Sequence, residues 1–249
     1  MNECVYIHEF IDIIGQNRAN YMHHITANWS PIGQKERNQL CFGVFGTVGS
    51  TRLWPEVINI WEHANWTELA DNFEHEFSHP TLQDPALAEW WAEAANFRSR
   101  GIDRILVAAP WTRTITELCA DGVTGTTYAH ELVAVKPGTA SEYLDAVRDI
   151  AVHAYRERGI EVTAAWRTAM CGESECILMW AFPDWRTWSS FEAEQLSDPL
   201  LVGWTRATEG IVTQMNRWLM VDAPLSPLRA GRQPREEDRA SYQLPTRQG

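Results

Sequence analysis

Tyr128-Ala129-His130-Glu131-Leu132 repeats, almost word for word, what the chain has already said at Tyr6-Ile7-His8-Glu9-Phe10. A further tyrosine keeps step, since Tyr21 stands to Tyr6 as Tyr143 stands to Tyr128, both pairs at an offset of 122 residues. Trp61 and Trp66 answer Trp180 and Trp185 at 119, and Asp84-Pro85 with Trp90 answers Asp198-Pro199 with Trp204 at 114. Arg104…Ala109-Pro110 matches Arg217…Ala223-Pro224 at 113 to 114. An offset that shrinks in small steps is what loop deletions leave behind in a tandem duplication. The chain therefore holds two copies of one unit of roughly a hundred residues, near the usual domain size.

Composition sets the outer bounds. The chain has 249 residues, 45% of them hydrophobic, and no long uncharged apolar run, which predicts a globular protein that does not span a membrane. Met1-Asn2-Glu3-Cys4 lacks the basic lead-in of a signal peptide, so a cytoplasmic location is expected. Five cysteines without metal-type spacing fit a reducing compartment; Cys171 and Cys176 flank a hairpin turn, Gly172 to Glu175. A formal charge of −12 argues against a nucleic-acid surface, because phosphate binding needs clustered Lys and Arg. Only the segment from about Leu225 onward is rich in arginine and proline, including Pro245; it reads as an extended or disordered arm lying over a neighbouring subunit.

In each unit the hydrophobic period gives strand, helix, strand, strand, helix, helix, strand. Val5 to Ile13 is apolar on both alternation phases and predicts a strand covered on both faces. A helix follows from about Gln16 to Trp29, ended by Pro31 and Gly33. Strands at 40–48 and 56–64 come next, then a helix over 66–78 capped by Asn65, with Trp66, Leu69, Phe73 and Phe77 on its buried stripe. Asp84-Pro85 opens another helix, and Ile102 to Ala109 is the last strand. Trp111 to Gly125 reads as linker. The expected organisation is a first unit over 1–110, a linker over 111–126, a second unit over 127–224 and a tail over 225–249.

The βαββαβ order predicts an α+β chain of two tandem ferredoxin-like units, each an antiparallel sheet with helices on one face. Because the strands are apolar on both sides, the free face of each sheet should meet the other sheet as in a dimeric α+β-barrel. That contact forms either within one chain or between two, and a homodimer or higher homo-oligomer is expected. Tyr-x-His-Glu-Leu followed by Lys136-Pro137-Gly138, with a strand ending in Trp61 or Trp180, resembles the NIPSNAP family in tandem form, over about Val5 to Pro224. The first copy departs from that pattern, with Gly15-Gln16 in place of Lys-Pro-Gly. The resemblance transfers no catalytic motif; it implies a superfamily that includes cofactor-free monooxygenases, haem-binding proteins, isomerases and lyases.

Candidate site residues come from comparing the copies. Glu62 and His63 stand where the second copy has Ala181 and Phe182, and Asp12 stands where it has Ala134. Ionisable groups on a strand buried on both faces are costly unless paired, bound or used. Alternation puts Trp61 and His63 on one face and Glu62 on the other. His8 and His130 share a face with Tyr6 and Tyr128, and read either as a structural pair across the barrel or as bases near a pseudo-twofold axis. His8, Asp12, Glu62 and His63 are thus the catalytic candidates. Tyr6, Arg52, Trp54, Trp61 and His130 are the substrate-contact candidates. Thirteen tryptophans suit an aromatic-lined cavity for an apolar or aromatic small molecule, while Trp66, Trp90, Trp185, Trp188 and Trp204 read as core.

His75-Glu76-Phe77-Ser78-His79 satisfies the H-E-x-x-H string, but Pro80 ends the helix and the apolar stripe turns both histidines outward, so no metal is expected there. The leading expectation is a small-molecule enzyme that moves a proton without an organic cofactor, an isomerase, lyase, cyclase or oxygenase acting on an apolar or aromatic metabolite in a barrel cavity of the first unit. A non-catalytic binding or scaffold protein is the alternative, and a haem- or metal-dependent enzyme a third reading.

Overall fold

The structure is a computed structural model and describes residues 1–239. Its eight strands are β1 (Val5–Ile13), β2 (Leu40–Thr47), β3 (Glu56–His63), β4 (Arg98–Ala108), β5 (Thr127–Val135), β6 (Glu161–Thr168), β7 (Glu175–Phe182) and β8 (Val212–Asp222). They close into one barrel in the order β1-β3-β2-β8-β5-β7-β6-β4, every neighbouring pair antiparallel. The first half runs β4-β1-β3-β2 and the second β8-β5-β7-β6, the same order twice. Sheet meets sheet within a single chain, at two short seams. Phe45 to Thr47 pair with Met220 to Asp222 at one, and Leu106 to Ala108 with Trp166 to Thr168 at the other.

Three apolar layers follow from the strand alternation. Alternate residues of all eight strands, among them Tyr6, Phe10, Ile58, Tyr128, Trp166 and Trp218, fill the barrel. The opposite faces carry their own cores under the helices, around Ile11, Tyr21, Val44 and Trp61 in the first half and around Val133, Tyr155, Leu178 and Trp180 in the second. Residues apolar on both alternation phases therefore have two partners, the barrel interior and a helical layer.

Several local expectations need correction. The first helix runs past Pro31 and Gly33: Arg18–His23, a π-helical stretch His24–Trp29, and Ser30–Arg37 are continuous. Pro31 sits in the first turn of the last stretch, where its missing N–H costs least. The stop is Asn38, left-handed at φ 48°. The final strand of the first half starts earlier, at Arg98. The segment read as linker contains the helix Ile115–Ala120, closed by a capping box between Thr114 and Glu117. Trp66, Phe77 and Trp185 are about half exposed and do not belong to the core.

The tail, over its described part, is no free arm. Pro227–Ala230 forms a helical turn that buries Leu228 against the barrel end, and Gln233 exchanges two hydrogen bonds with the backbone of Cys41. The rest of the tail, residues 240–249, lies outside the described residues. All five cysteines are free. Among the described residues no helix is long and apolar enough to cross a membrane.

Candidate functional site

The structure divides the sequence candidates into three places. In the middle of the barrel, His8 Nε2 lies 2.8 Å from His130 Nε2. Both imidazoles are fully buried, His130 stacked on Trp218 and His8 edge-on to Phe10. Burial first, and the guanidinium of Arg104 second, push the His8 pKa down to about 3; burial and His8 itself lower His130. One hydrogen bond joins the two neutral rings through their Nε2 atoms, and both Nδ1 atoms are buried without a partner among the described residues.

At one barrel mouth, Arg52 lies over the rings of Phe10 and Trp218, 4.6 and 4.3 Å from their centroids, and binds Glu56 at 2.6 Å. Asp12, expected in the interior, is at the rim and bound to Arg100 at 2.5 Å. Strand β1 ends one residue later, and the Asp12 side chain is about a third exposed. Trp54 is 58% exposed, in the loop between β2 and β3.

At the opposite mouth, Glu62 Oε2 accepts the Tyr6 hydroxyl at 2.9 Å and the backbone N–H of Ile115 at 2.9 Å. It holds down the start of the helix that plugs this end, with Ile115 and Leu118 fully buried. Glu62 and Tyr6 are thus tied to each other and to this plug. His8, Asp12 and Glu62 do not converge.

The third place is a cavity of about 330 Å³ on the outer face of the first half, between the sheet and its helices. Trp61, Trp29, Trp90, Trp91, Phe73 and Phe77 make its walls, with Arg37, Gln39, Arg98 and Glu9 as polar groups. Helix Trp66–Phe77 contributes Asn72, Phe73, Glu76 and Phe77 to the lining, with Phe77 half exposed. His63 is one step behind: its Nε2 meets Gln39 Nε2 at 3.4 Å, and burial lowers its pKa to about 4. Trp61 and His63 therefore serve this cavity, one as wall and one as support for Gln39.

Glu9 is the residue that sequence comparison missed. Both its donors reach Oε2: Asn59 Nδ2 at 2.9 Å and Trp61 Nε1 at 3.0 Å. Burial pushes its pKa up, and Asp103, directly opposite on β4, pushes it further; the two neutral donors and Arg98 pull the other way. Protein surrounds the carboxylate, yet it stays partly accessible because it forms part of the cavity wall. Several polar atoms of the lining have no protein hydrogen-bond partner among the described residues: Arg37 Nε, Gln39 Oε1, Trp90 Nε1 and Trp91 Nε1. Such orphaned buried polar atoms also occur in the barrel, at His8 Nδ1, His130 Nδ1 and Trp218 Nε1.

The twin Glu131 shows what is special. Its facing residue is Arg217, at 2.7 Å, where Glu9 faces Asp103. Leu178 replaces Asn59, and Trp180 leaves its indole N–H unpartnered where Trp61 donates to Glu9. One glutamate is ion-paired; the other is held by neutral donors beside a like charge.

The H-E-x-x-H string is used structurally. His75 binds Asp84 at 2.9 Å and Glu76 binds Arg37 at 2.6 Å. Among the described residues no group of three or more His, Cys, Asp or Glu is placed to hold a metal.

No protein-family model matches the sequence, and no curated protein matches it. Solved structures do. A protein provisionally named a monooxygenase, from Lactobacillus acidophilus, superimposes with a TM-score of 0.58 at 11% identity, over 94% of this chain and 97% of that one. An anthrone oxidase-like protein gives 0.57 at 12%, over 88% and 91%. The chain has the fold of these proteins, an α+β barrel. At such identity the likeness is one of fold. A NIPSNAP family protein from Agrobacterium tumefaciens, 19% identical, matches over 42% of this chain and 94% of its own, with a TM-score of 0.37.

Proposed function

We propose that the protein is a small-molecule enzyme in which Glu9 takes a proton from an aromatic or apolar metabolite held in the cavity of the first half, in the manner of a cofactor-free oxygenase. The observation that carries this reading is the un-ion-paired carboxylate of Glu9 in an aromatic cavity. A carboxylate whose pKa is raised is a stronger base than one in water, and is useful only where substrate can reach it.

The lining indicates the guest. Flat indole walls favour an aromatic ring system, and Gln39, Asn72 and Gln83 add uncharged polar side chains to the lining. With Oε2 fixed by Asn59 and Trp61, Oε1 is the oxygen that receives the proton. Breaking an activated C–H or O–H bond leaves its electron pair on the ring system, over which the negative charge delocalises. In an oxygenase that electron-rich ring reduces dioxygen directly, and an isomerase returns the proton to another carbon. Two provisionally named monooxygenases and the anthrone oxidase-like protein among the neighbours favour the first outcome by analogy of fold. The halves, 1–110 and 127–224, are read as copies of one ferredoxin-like unit, of which the first keeps the chemistry.

The experiment is dioxygen uptake, with absorbance of the aromatic, over a panel of polycyclic phenols and enolisable ketones, for wild type and Glu9→Gln. Turnover by wild type that Glu9→Gln loses by a hundredfold or more is expected. Equal turnover by the two would remove Glu9 from the chemistry.

A further inference from the structure

The second half has a cavity at the equivalent place, of about 530 Å³. Equivalent residues line the two: Glu131 for Glu9, Trp204 for Trp90, and Val212 for Arg98. The floor differs in charge. Arg217 grips Glu131 at 2.7 Å, touches the Tyr155 hydroxyl at 3.2 Å and reaches Glu192 at 3.5 Å, so its cation is already consumed. Glu131 is 3% and Arg217 12% exposed. We propose that this cavity is a second ligand site, one that binds a neutral aromatic or apolar small molecule and performs no proton transfer.

Three observations converge on that class of ligand. The walls of Val133, Tyr143, Val202 and Trp204 are apolar and aromatic, and the volume lies within the range of small-molecule sites. The mouth keeps Leu196 94% and Met215 45% exposed, an apolar rim on an otherwise strongly acidic protein. The ion pair fills the place where the first cavity keeps its base, and the other charged groups of the lining, Arg206 and Glu209, are exposed at the end of the helix Pro199–Thr208, so the floor itself offers a guest neither an unpaired carboxylate nor an unpaired cation among the described residues. Duplication left two cavities, and facing-strand charge divided them into one that reacts and one that holds. The ligand class rests on the reading of the first cavity; the existence of the second site does not.

Calorimetric titration with N-phenyl-1-naphthylamine, a neutral fluorescent aromatic, tests this on the full chain. Val202→Trp fills the second cavity and Gln83→Trp the first; Thr205→Trp, at the second rim, stands in if Val202→Trp does not fold. Two molecules bound per chain, one removed by each filling variant, is the expected result. One molecule removed by Val202→Trp and untouched by Gln83→Trp upholds the second site and contradicts the reading of the first. One molecule removed only by Gln83→Trp, or no binding at all, overturns the inference.

Discussion

His8 and His130 meet ring to ring, Nε2 to Nε2 at 2.8 Å, where the two halves of the barrel face each other. Neither can be protonated without cost in that packed interior. The folded pKa of His8 is about 3 and that of His130 is also lowered, against about 6.5 in an unfolded chain. As pH falls below about 6.5 the unfolded chain binds protons that the folded one refuses, so stability drops, by up to about 1.4 kcal/mol per pH unit per histidine. Stability from this pair is complete above about pH 6.5 and is lost toward pH 3. Urea unfolding at pH 7.5 and 5.5 should show a smaller acid loss in the double variant His8→Gln/His130→Gln than in wild type. His63, also lowered, keeps its own share in both proteins. Equal acid losses would mean that the pair is not buried neutral.

Glu9 has the opposite sign. Its folded pKa is raised above the unfolded value, so its contribution is present at low pH and is lost as pH rises through the folded pKa. Where it is ionised the group strains the fold, and Glu9→Gln, which keeps the shape and the donors' partner, should match or raise the melting temperature while abolishing turnover. A melting temperature several degrees lower than wild type would make Glu9 a structural group.

Asp103 sets the character of Glu9. Asp103→Arg copies the arrangement of Arg217 opposite Glu131 and should form an ion pair that lowers the Glu9 pKa. Turnover should fall at least tenfold, with the acid limb of its pH profile moved down. Asp103→Asn should move that limb down by less and keep most of the activity. An unchanged profile in Asp103→Arg would show that the facing strand does not tune the base.

Arg52 and Glu62 should matter for stability alone. Arg52→Met leaves Glu56 buried without its cation and removes a guanidinium from Phe10 and Trp218, a loss of about 2–3 kcal/mol. Glu62→Leu frees the Tyr6 hydroxyl and the Ile115 N–H, for about 1–3 kcal/mol. Denaturation should report both losses, with turnover per folded molecule unchanged. A hundredfold loss of turnover in Glu62→Leu would move the chemistry into the barrel.

What the sequence disclosed follows from what repeats. The recurrent Tyr-x-His-Glu string makes the repeated strand order legible, and with it the closing of the sheets into one barrel and the two imidazoles that meet inside it. Glu9 escaped because comparison of the copies sought positions where the residues differ, and Glu9 and Glu131 are the same. What differs is the facing strand, and there the sequence match pairs Arg104 with Arg217 whereas the register sets Asp103 opposite Glu9 and Arg217 opposite Glu131. One position of slip hid the change of charge. Glu62 stands out in the sequence because its counterpart is Ala181; the helix Ile115–Ala120, whose start the capping box of Thr114 with Glu117 marks, gives that carboxylate a backbone partner. Trp61 and His63 were placed on the correct face, but the roof of their cavity is built by helices whose angle no periodicity records.

The central claim, a base in the first cavity whose proton affinity is raised by burial and a facing carboxylate, is tested most directly by carboxyl-carbon NMR titration of glutamate-labelled protein. The Glu9 resonance is assigned by its loss in Glu9→Gln. A Glu9 midpoint clearly above the ordinary glutamate value of about 4.3 is the expected result. A midpoint at or below that value would contradict the account.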